Sequence, residues 1–261
     1  MITVDMVKYS PECLSLVKGT AHTLIAGTTG SGKSVLLNSI IYALLKDGIV
    51  TGNIPCFTLI DTKWVELKQY KNLPAVSQYV TEPEDVPEAL DNVINTMIKI
   101  YSEMPGKETT KGHHYVVIDE LADVLSTYGV LERIIKIGRL GRAAHIHLLC
   151  CTQDPSRHTL SAQLVQNFTT RVALRCLDEI ESKQIIRISG AEKLPKYGKA
   201  IALDSFGYKK IDVPLTPDED IDELVASIAV GLKGNKSSDW LSQDLVQPLL
   251  DARKKGVEFC W

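Results

Sequence analysis

The eight residues GTTGSGKS, at positions 27–34, constrain this chain more than any other stretch. They fit the pattern G-x-x-x-x-G-K-[ST] in the context it requires: an apolar β-rich run, HTLIA (22–26), precedes them and a helical run over 33–46 follows. A strand that turns into a helix through glycines points its backbone N–H groups at one spot. The helix N-terminus adds the positive end of its dipole, so the nest binds phosphate. On this reading Gly27, Thr28, Thr29, Gly30, Ser31, Gly32 and Val35 cradle a nucleotide, Lys33 reaches its β- and γ-phosphates, and Ser34 ligates Mg²⁺. The alternative is a plain glycine-rich turn.

The rest of the chain alternates β-rich and helical runs. Strands are predicted at 56–60, 115–119, 145–152 and 170–176, with a hairpin over 199–203 and 208–213. Helices are predicted over 87–104, 130–140, 179–188 and 217–232, and a short C-terminal helix ends near Lys255. In the first of these, Leu90, Val93, Ile94, Met97, Ile98, Tyr101 and Met104 recur at helical spacing and define one apolar face. Strands alternating with helices predict an α/β fold: a mostly parallel sheet with helices on both faces.

A net charge of −3 over 261 residues argues against a general basic surface that coats nucleic acid. Contact with DNA would have to be local, in a loop or inside a ring. No uninterrupted apolar run reaches the roughly 18 residues that span a bilayer, and MITVDMVKYSPE lacks the order of a signal peptide. Cys13, Cys56, Cys150, Cys151, Cys176 and Cys260 show no C-x-x-C spacing and read as reduced thiols of a cytoplasmic protein. His145 and His147 share a strand face and His113 and His114 are adjacent, which favours a structural role over metal binding.

A phosphate site needs a second element to hold the metal. YVVIDE (115–120) supplies a buried strand ending in Asp119, a ligand for Mg²⁺ or its water. Glu120 follows, placed to deprotonate water for attack on a γ-phosphate; the alternative is that it only caps the next helix. Gln153 ends the next strand at the crevice edge, where it either senses the γ-phosphate or simply faces solvent.

Five segments, in this order, carry a resemblance: HTLIAGTTGSGKS (22–34), LIDTKWVEL (59–67), VVIDELAD (116–123), GRAAHIHLLCCTQDPS (141–156) and SGAEKLP (189–195). Together they resemble the motor domain of the FtsK/SpoIIIE DNA translocases, within the wider HerA–FtsK group of ring ATPases, over about residues 20 to 205. The resemblance implies a RecA-like P-loop NTPase fold, a hexameric ring with double-stranded DNA in its pore, and ATP between subunits. A neighbour would then supply an arginine finger. Matching NFTTRVAL to the family assigns it to Arg171, with Arg139 and Arg142 as fallbacks; the alternative is a strand-end arginine paired to Asp or Glu. Asp61 and Lys63 match the family's Asp-Pro-Lys, with Thr62 in place of proline, and either tune the nucleotide site or a subunit contact or form a structural ion pair. Asp154 stands where the family carries arginine, and Arg157 is a possible substitute.

DNA contacts are expected from Lys107 and Lys111 on one loop and Arg157 and His158 on another. The layout expected is a lead-in (1–21), a motor domain (22–215) and C-terminal helices (216–261) that pack on the core or a neighbouring subunit. It resembles a minimal motor of a plasmid, conjugative element or phage, recruited by a membrane, relaxase or replication partner. A type VII-like secretion ATPase moving polypeptide, a viral DNA-packaging ATPase and an inactive binding module are the alternatives.

Overall fold

The structure is a computed structural model that describes residues 11–104, 106, 109 and 112–233. Lys107, Lys111, Cys260 and the C-terminal helix expected to end near Lys255 lie outside the described residues.

Eight strands form one sheet: β1 (Thr23–Ala26), β2 (Cys56–Ile60), β3 (Val76–Val80), β4 (His114–Ile118), β5 (Ile146–Thr152), β6 (Thr170–Ala173), β7 (Lys199–Asp204) and β8 (Gly207–Asp212). Their order is β3-β2-β4-β5-β1-β6-β7-β8. The first six run parallel, and β7 and β8 close one edge antiparallel, as the predicted hairpin.

The helices are α1 (Pro11–Ser15), α2 (Lys33–Thr51), α3 (Val86–Glu103), α4 (Leu121–Leu125), α5 (Val130–Leu140), α6 (Ala162–Val165), α7 (Glu179–Ile186) and α8 (Asp218–Lys233). One face of the sheet packs on residues of α1, α2 and α8, the other on residues of α3 to α7. This explains why the central strands read as continuous apolar runs: both their faces are buried. Residues of the lead-in (Cys13, Leu14, Leu16) and of α8 (Ile221, Leu224, Ile228) belong to the same core cluster as the sheet, so neither has a core of its own.

Helix α2 runs to Thr51, further than expected, and ends on Gly52 in the left-handed region. By length and composition it is apolar enough to cross a membrane, but polar residues (Asn38, Lys46, Asp47) interrupt it and most of it is buried within the core. In α3 the stripe starts earlier: Val86, Ala89, Leu90, Val93, Ile94, Met97 and Ile100 are buried, while Ile98 is 52% exposed. Adding Val86 and Ala89 at the N-terminus turns the mean apolar direction away from Ile98. Strand β6 stops at Ala173 because Leu174 to Cys176 leave the ladder to wrap the phosphate loop, where the Thr28 N–H donates to the Arg175 carbonyl.

At the strand ends opposite the phosphate loop, histidines satisfy one another. His147 donates from Nδ1 to the Ala21 carbonyl (2.9 Å), so its Nε2 accepts from His113 Nδ1 (2.8 Å). The His145 ring stacks on His113 at 4.6 Å, and His114 bonds Thr58 at 2.9 Å. Burial depresses His147 to about 3 and His22 and His114 to about 4.

These histidines are neutral in the fold and take a proton once unfolded, where their pKa is about 6.5. Their stabilisation is therefore complete above pH 6.5 and is lost as pH falls toward the folded values. Each is expected to remove about 1 kcal/mol of stability per pH unit across that window. Asp119, raised to about 7, opposes them as a single group. Urea midpoints measured at pH 7, 6 and 5 should fall progressively; a flat profile would contradict this account.

Candidate nucleotide and catalytic site

The glycines are required by contact and by backbone. A Cβ on Gly27 would lie 2.9 Å from Ser31 Oγ and 3.0 Å from the Arg175 carbonyl oxygen. Gly32 precedes α2 at φ 98°, a region that side chains disfavour. With these turns in place, Thr28 Oγ1 donates to the Arg175 carbonyl (3.1 Å) and Thr29 Oγ1 to Gln153 Oε1 (2.8 Å). Gly30 takes φ 71°, and Ser34 and Val35 sit half-buried in the first turn of α2. Lys33 folds back onto its own loop, donating to the carbonyls of Gly27 (2.8 Å) and Thr28 (3.0 Å). Burial lowers its pKa, an arrangement that an anion in the nest would relieve.

Asp119 follows β4 directly and is 6% exposed. Its Oδ2 is buried with no hydrogen-bond partner, and Ser31 Oγ is in the same condition. Burial raises the Asp119 carboxyl to about 7. A buried carboxylate oxygen with no donor among the described residues fits a divalent cation, and Asp119 and Ser34 are the residues that would hold Mg²⁺.

Glu120 is the centre of the site. It does cap α4, accepting from the Ala122 N–H at 3.4 Å, but it does much more. Oε1 accepts from Thr152 Oγ1 (2.7 Å) and the Gln153 N–H (3.1 Å). Oε2 accepts from the same N–H (3.1 Å) and from Lys63 Nζ (3.1 Å). Gln153, an exposed residue, therefore joins Glu120 through its backbone to the phosphate loop through its side chain.

Thr152 and Lys63 are the partners that motif reading left unassigned. Thr152 is a polar residue closing an otherwise apolar strand, and that was the available signal. Lys63 forms an ion pair as one sequence alternative allowed, and its partner is Glu120, inside the nucleotide site. Asp61 accepts from the N–H groups of Val65 (3.3 Å) and Leu67 (3.1 Å) and from Tyr79 Oη (3.0 Å), which ties down the loop carrying Lys63.

Arg171 lies on β6, 6% exposed, with Nε donating to the Phe168 carbonyl at 3.2 Å. Among the described residues no carboxylate pairs with it. Burial lowers its pKa, with Arg187 adding to the effect. Arg133 makes a bidentate pair with Asp91 (2.8 and 2.7 Å) that fastens α5 to α3, whereas Arg139 and Arg142 are exposed. Arg157 and His158 are exposed on the loop after β5. Asp154 builds that loop, accepting from the Ser156 N–H (3.0 Å), Ser156 Oγ (3.1 Å) and Thr159 Oγ1 (2.7 Å).

The sequence model of the FtsK/SpoIIIE family matches residues 2–192. The chain belongs to the FtsK/SpoIIIE family. It is 27% identical over 253 residues to the DNA translocase SpoIIIE of Bacillus subtilis (87% of this chain, 32% of that protein). It is 31% identical over 257 residues to the DNA translocase FtsK of Helicobacter pylori J99 (89% of this chain, 30% of that protein). It thus spans about a third of the length of these curated relatives. Among solved structures, the pCW3 conjugation coupling protein TcpA in its monomer form with ATPγS superposes with a TM-score of 0.66 at 24% identity, covering 76% of this chain and 61% of that one. The cytoplasmic domain of the Thermomonospora curvata type VII secretion ATPase EccC gives 0.64 at 22%, covering 79% and 28%. At these identities the superpositions establish the fold: a P-loop ATPase domain with the RecA-like sheet expected of an FtsK/SpoIIIE-family member.

Proposed function

We propose that this chain is the motor of an ATP-driven double-stranded DNA translocase, working as a homohexameric ring in which ATP is hydrolysed at the seams between subunits. The observation that carries this reading is the continuous path from phosphate loop to base: Thr29 to Gln153, Gln153 to Glu120, with Asp119 beside it.

The phosphate loop, Lys33 and the α2 N-terminus hold the triphosphate. Mg²⁺ bound by Ser34 and Asp119 supplies positive charge that offsets what develops on the phosphate oxygens. Glu120 takes a proton from water as the water oxygen bonds the γ-phosphorus. The bond from that phosphorus to the β,γ-bridging oxygen breaks, and ADP leaves with the electron pair. Gln153 links the state of the phosphates to the loop carrying Arg157 and His158, which grips DNA phosphates together with Lys107 and Lys111. Arg171 enters the neighbouring subunit's site. The setting we favour is a plasmid, conjugative element or phage, with the motor in the cytoplasm and brought to its DNA or to a membrane by a partner protein.

Linear duplex DNA is expected to stimulate ATPase activity severalfold and a polypeptide substrate is not. Arg157→Ala should lower the ratio of DNA-stimulated to DNA-free rate. Stimulation by polypeptide with indifference to DNA would replace this reading with a secretion ATPase.

A further inference from the structure

The arrangement around Glu120 is unsuited to a base at work. Each carboxylate oxygen offers two in-plane lone-pair directions. Oε1 receives Thr152, Gln153 and Ala122, and Oε2 receives Gln153 and Lys63. Four donors, with the Gln153 N–H shared between the two oxygens, thus face the four directions, and Lys63 is the only one that bonds Oε2 alone. Among these donors the Gln153 and Ala122 N–H groups are backbone and the Thr152 hydroxyl is on a short side chain at the end of β5, whereas Lys63 alone sits on a long flexible stem.

Its position makes Lys63 movable. Its side chain is 37% exposed while that of Glu120 is fully buried. The loop it rides on is pinned at both ends, by Asp61 to Val65 and Leu67 and by Thr62 Oγ1 to Asp123 Oδ2 (3.1 Å), so the side chain can swing without the backbone. Lys63 also lies within electrostatic reach of both Lys33 and Asp119. Burial alone would lower its pKa, but Glu120 together with Asp119 and Asp123 more than offsets this and raises it, so it stays a cation. Two lysines thus stand within electrostatic reach of each other, each parked on protein oxygens: Lys33 on its loop carbonyls and Lys63 on Glu120.

We propose that Lys63 is a γ-phosphate-responsive latch on Glu120. While the crevice lacks a γ-phosphate, Lys63 saturates Oε2. When ATP binds, the γ-phosphate, more highly charged than one carboxylate, draws the ammonium group away and leaves Oε2 open to water. ADP has no γ-phosphate and leaves the latch closed. Lys63 is thus a positioning residue for the base and the element that tells ATP from ADP. This rests on the reading of Glu120 as the base but not on what the motor moves.

The test compares equilibrium binding of fluorescently labelled ADP and ATPγS, both with Mg²⁺, to the wild-type chain, Lys63→Met and Lys63→Arg. Lys63→Met is expected to lower the preference for ATPγS over ADP by about tenfold with ADP affinity held within roughly twofold, and Lys63→Arg is expected to restore most of it. An unchanged preference overturns the proposal. So does an equal loss for both nucleotides, or loss of folding in both Lys63→Met and Lys63→Gln, since either makes the lysine a structural residue. Absence of DNA stimulation would refute the translocase and leave these binding ratios unaffected, so the two failures are separable.

Discussion

Glu120→Gln is expected to reduce ATP turnover at least about a hundredfold while nucleotide affinity is preserved. The substitution keeps the shape of the side chain. The amide oxygen can still accept from Thr152 and the Gln153 N–H, the two donors that fix the group at 2.7 and 3.1 Å. What is lost is the ability to take a proton. The phosphate loop, Lys33 and Asp119 remain, so binding should survive and bound ATP should accumulate unhydrolysed. Steady-state hydrolysis and nucleotide binding on one preparation separate the two quantities. Turnover above about a tenth of wild type would remove Glu120 from its role.

Arg171→Ala is expected to have an effect of similar or larger size, about a thousandfold on turnover, because an arginine supplied to a γ-phosphate acts on the charge of the transition state. The effect should be felt in the neighbour. Arg171 stands on β6, bonded among the described residues through Nε to the Phe168 carbonyl, and must leave that carbonyl to reach another subunit's phosphate. Mixing gives the decisive measurement. Arg171→Ala chains carry an intact base and Glu120→Gln chains an intact arginine, so seams that combine the two are complete. Two inactive proteins should regain activity on mixing. No recovery, with both variants folded and co-assembled, would place Arg171 outside a shared site. Arg171→Lys controls for loss of a buried cation in the strand.

The parts of this protein that could be read from the chain are those whose physics is local. A glycine pattern between strand and helix specifies a phosphate nest without any distant residue, and the structure describes a strand ending at Ala26 and a helix starting at Lys33. The buried strands were legible because both their faces are apolar. Val130–Leu140 could be bounded to the residue because apolar periodicity runs between two glycines. The edge strand β3, VSQYV, was missed because it is half-buried and interrupted by two consecutive polar residues, Ser77 and Gln78, with no continuous apolar signal. Strand β6 was drawn too long because Leu174 to Cys176 keep strand-like composition while the Arg175 carbonyl turns to the phosphate loop and the Cys176 N–H to the Ala191 carbonyl.

The site divides along the same line. Lys33, Ser34, Asp119 and Glu120 sit in contiguous motifs, and their chemistry follows from residue type and neighbours in the chain. The Glu120 network does not: Lys63 and Thr152 are 57 and 32 residues away, and they meet because β2, β4 and β5 are neighbours in one parallel sheet, with β3 displaced to its edge. Whether Lys63 was a surface pair or part of the site, and whether Arg171 had a carboxylate beside it, depended on which strand ends come together. Local residue types could determine the phosphate chemistry because dipoles and glycine geometry act over a few residues. Only the packed sheet could decide what restrains the base, because that depends on contacts closed by strand order, which no local spacing encodes.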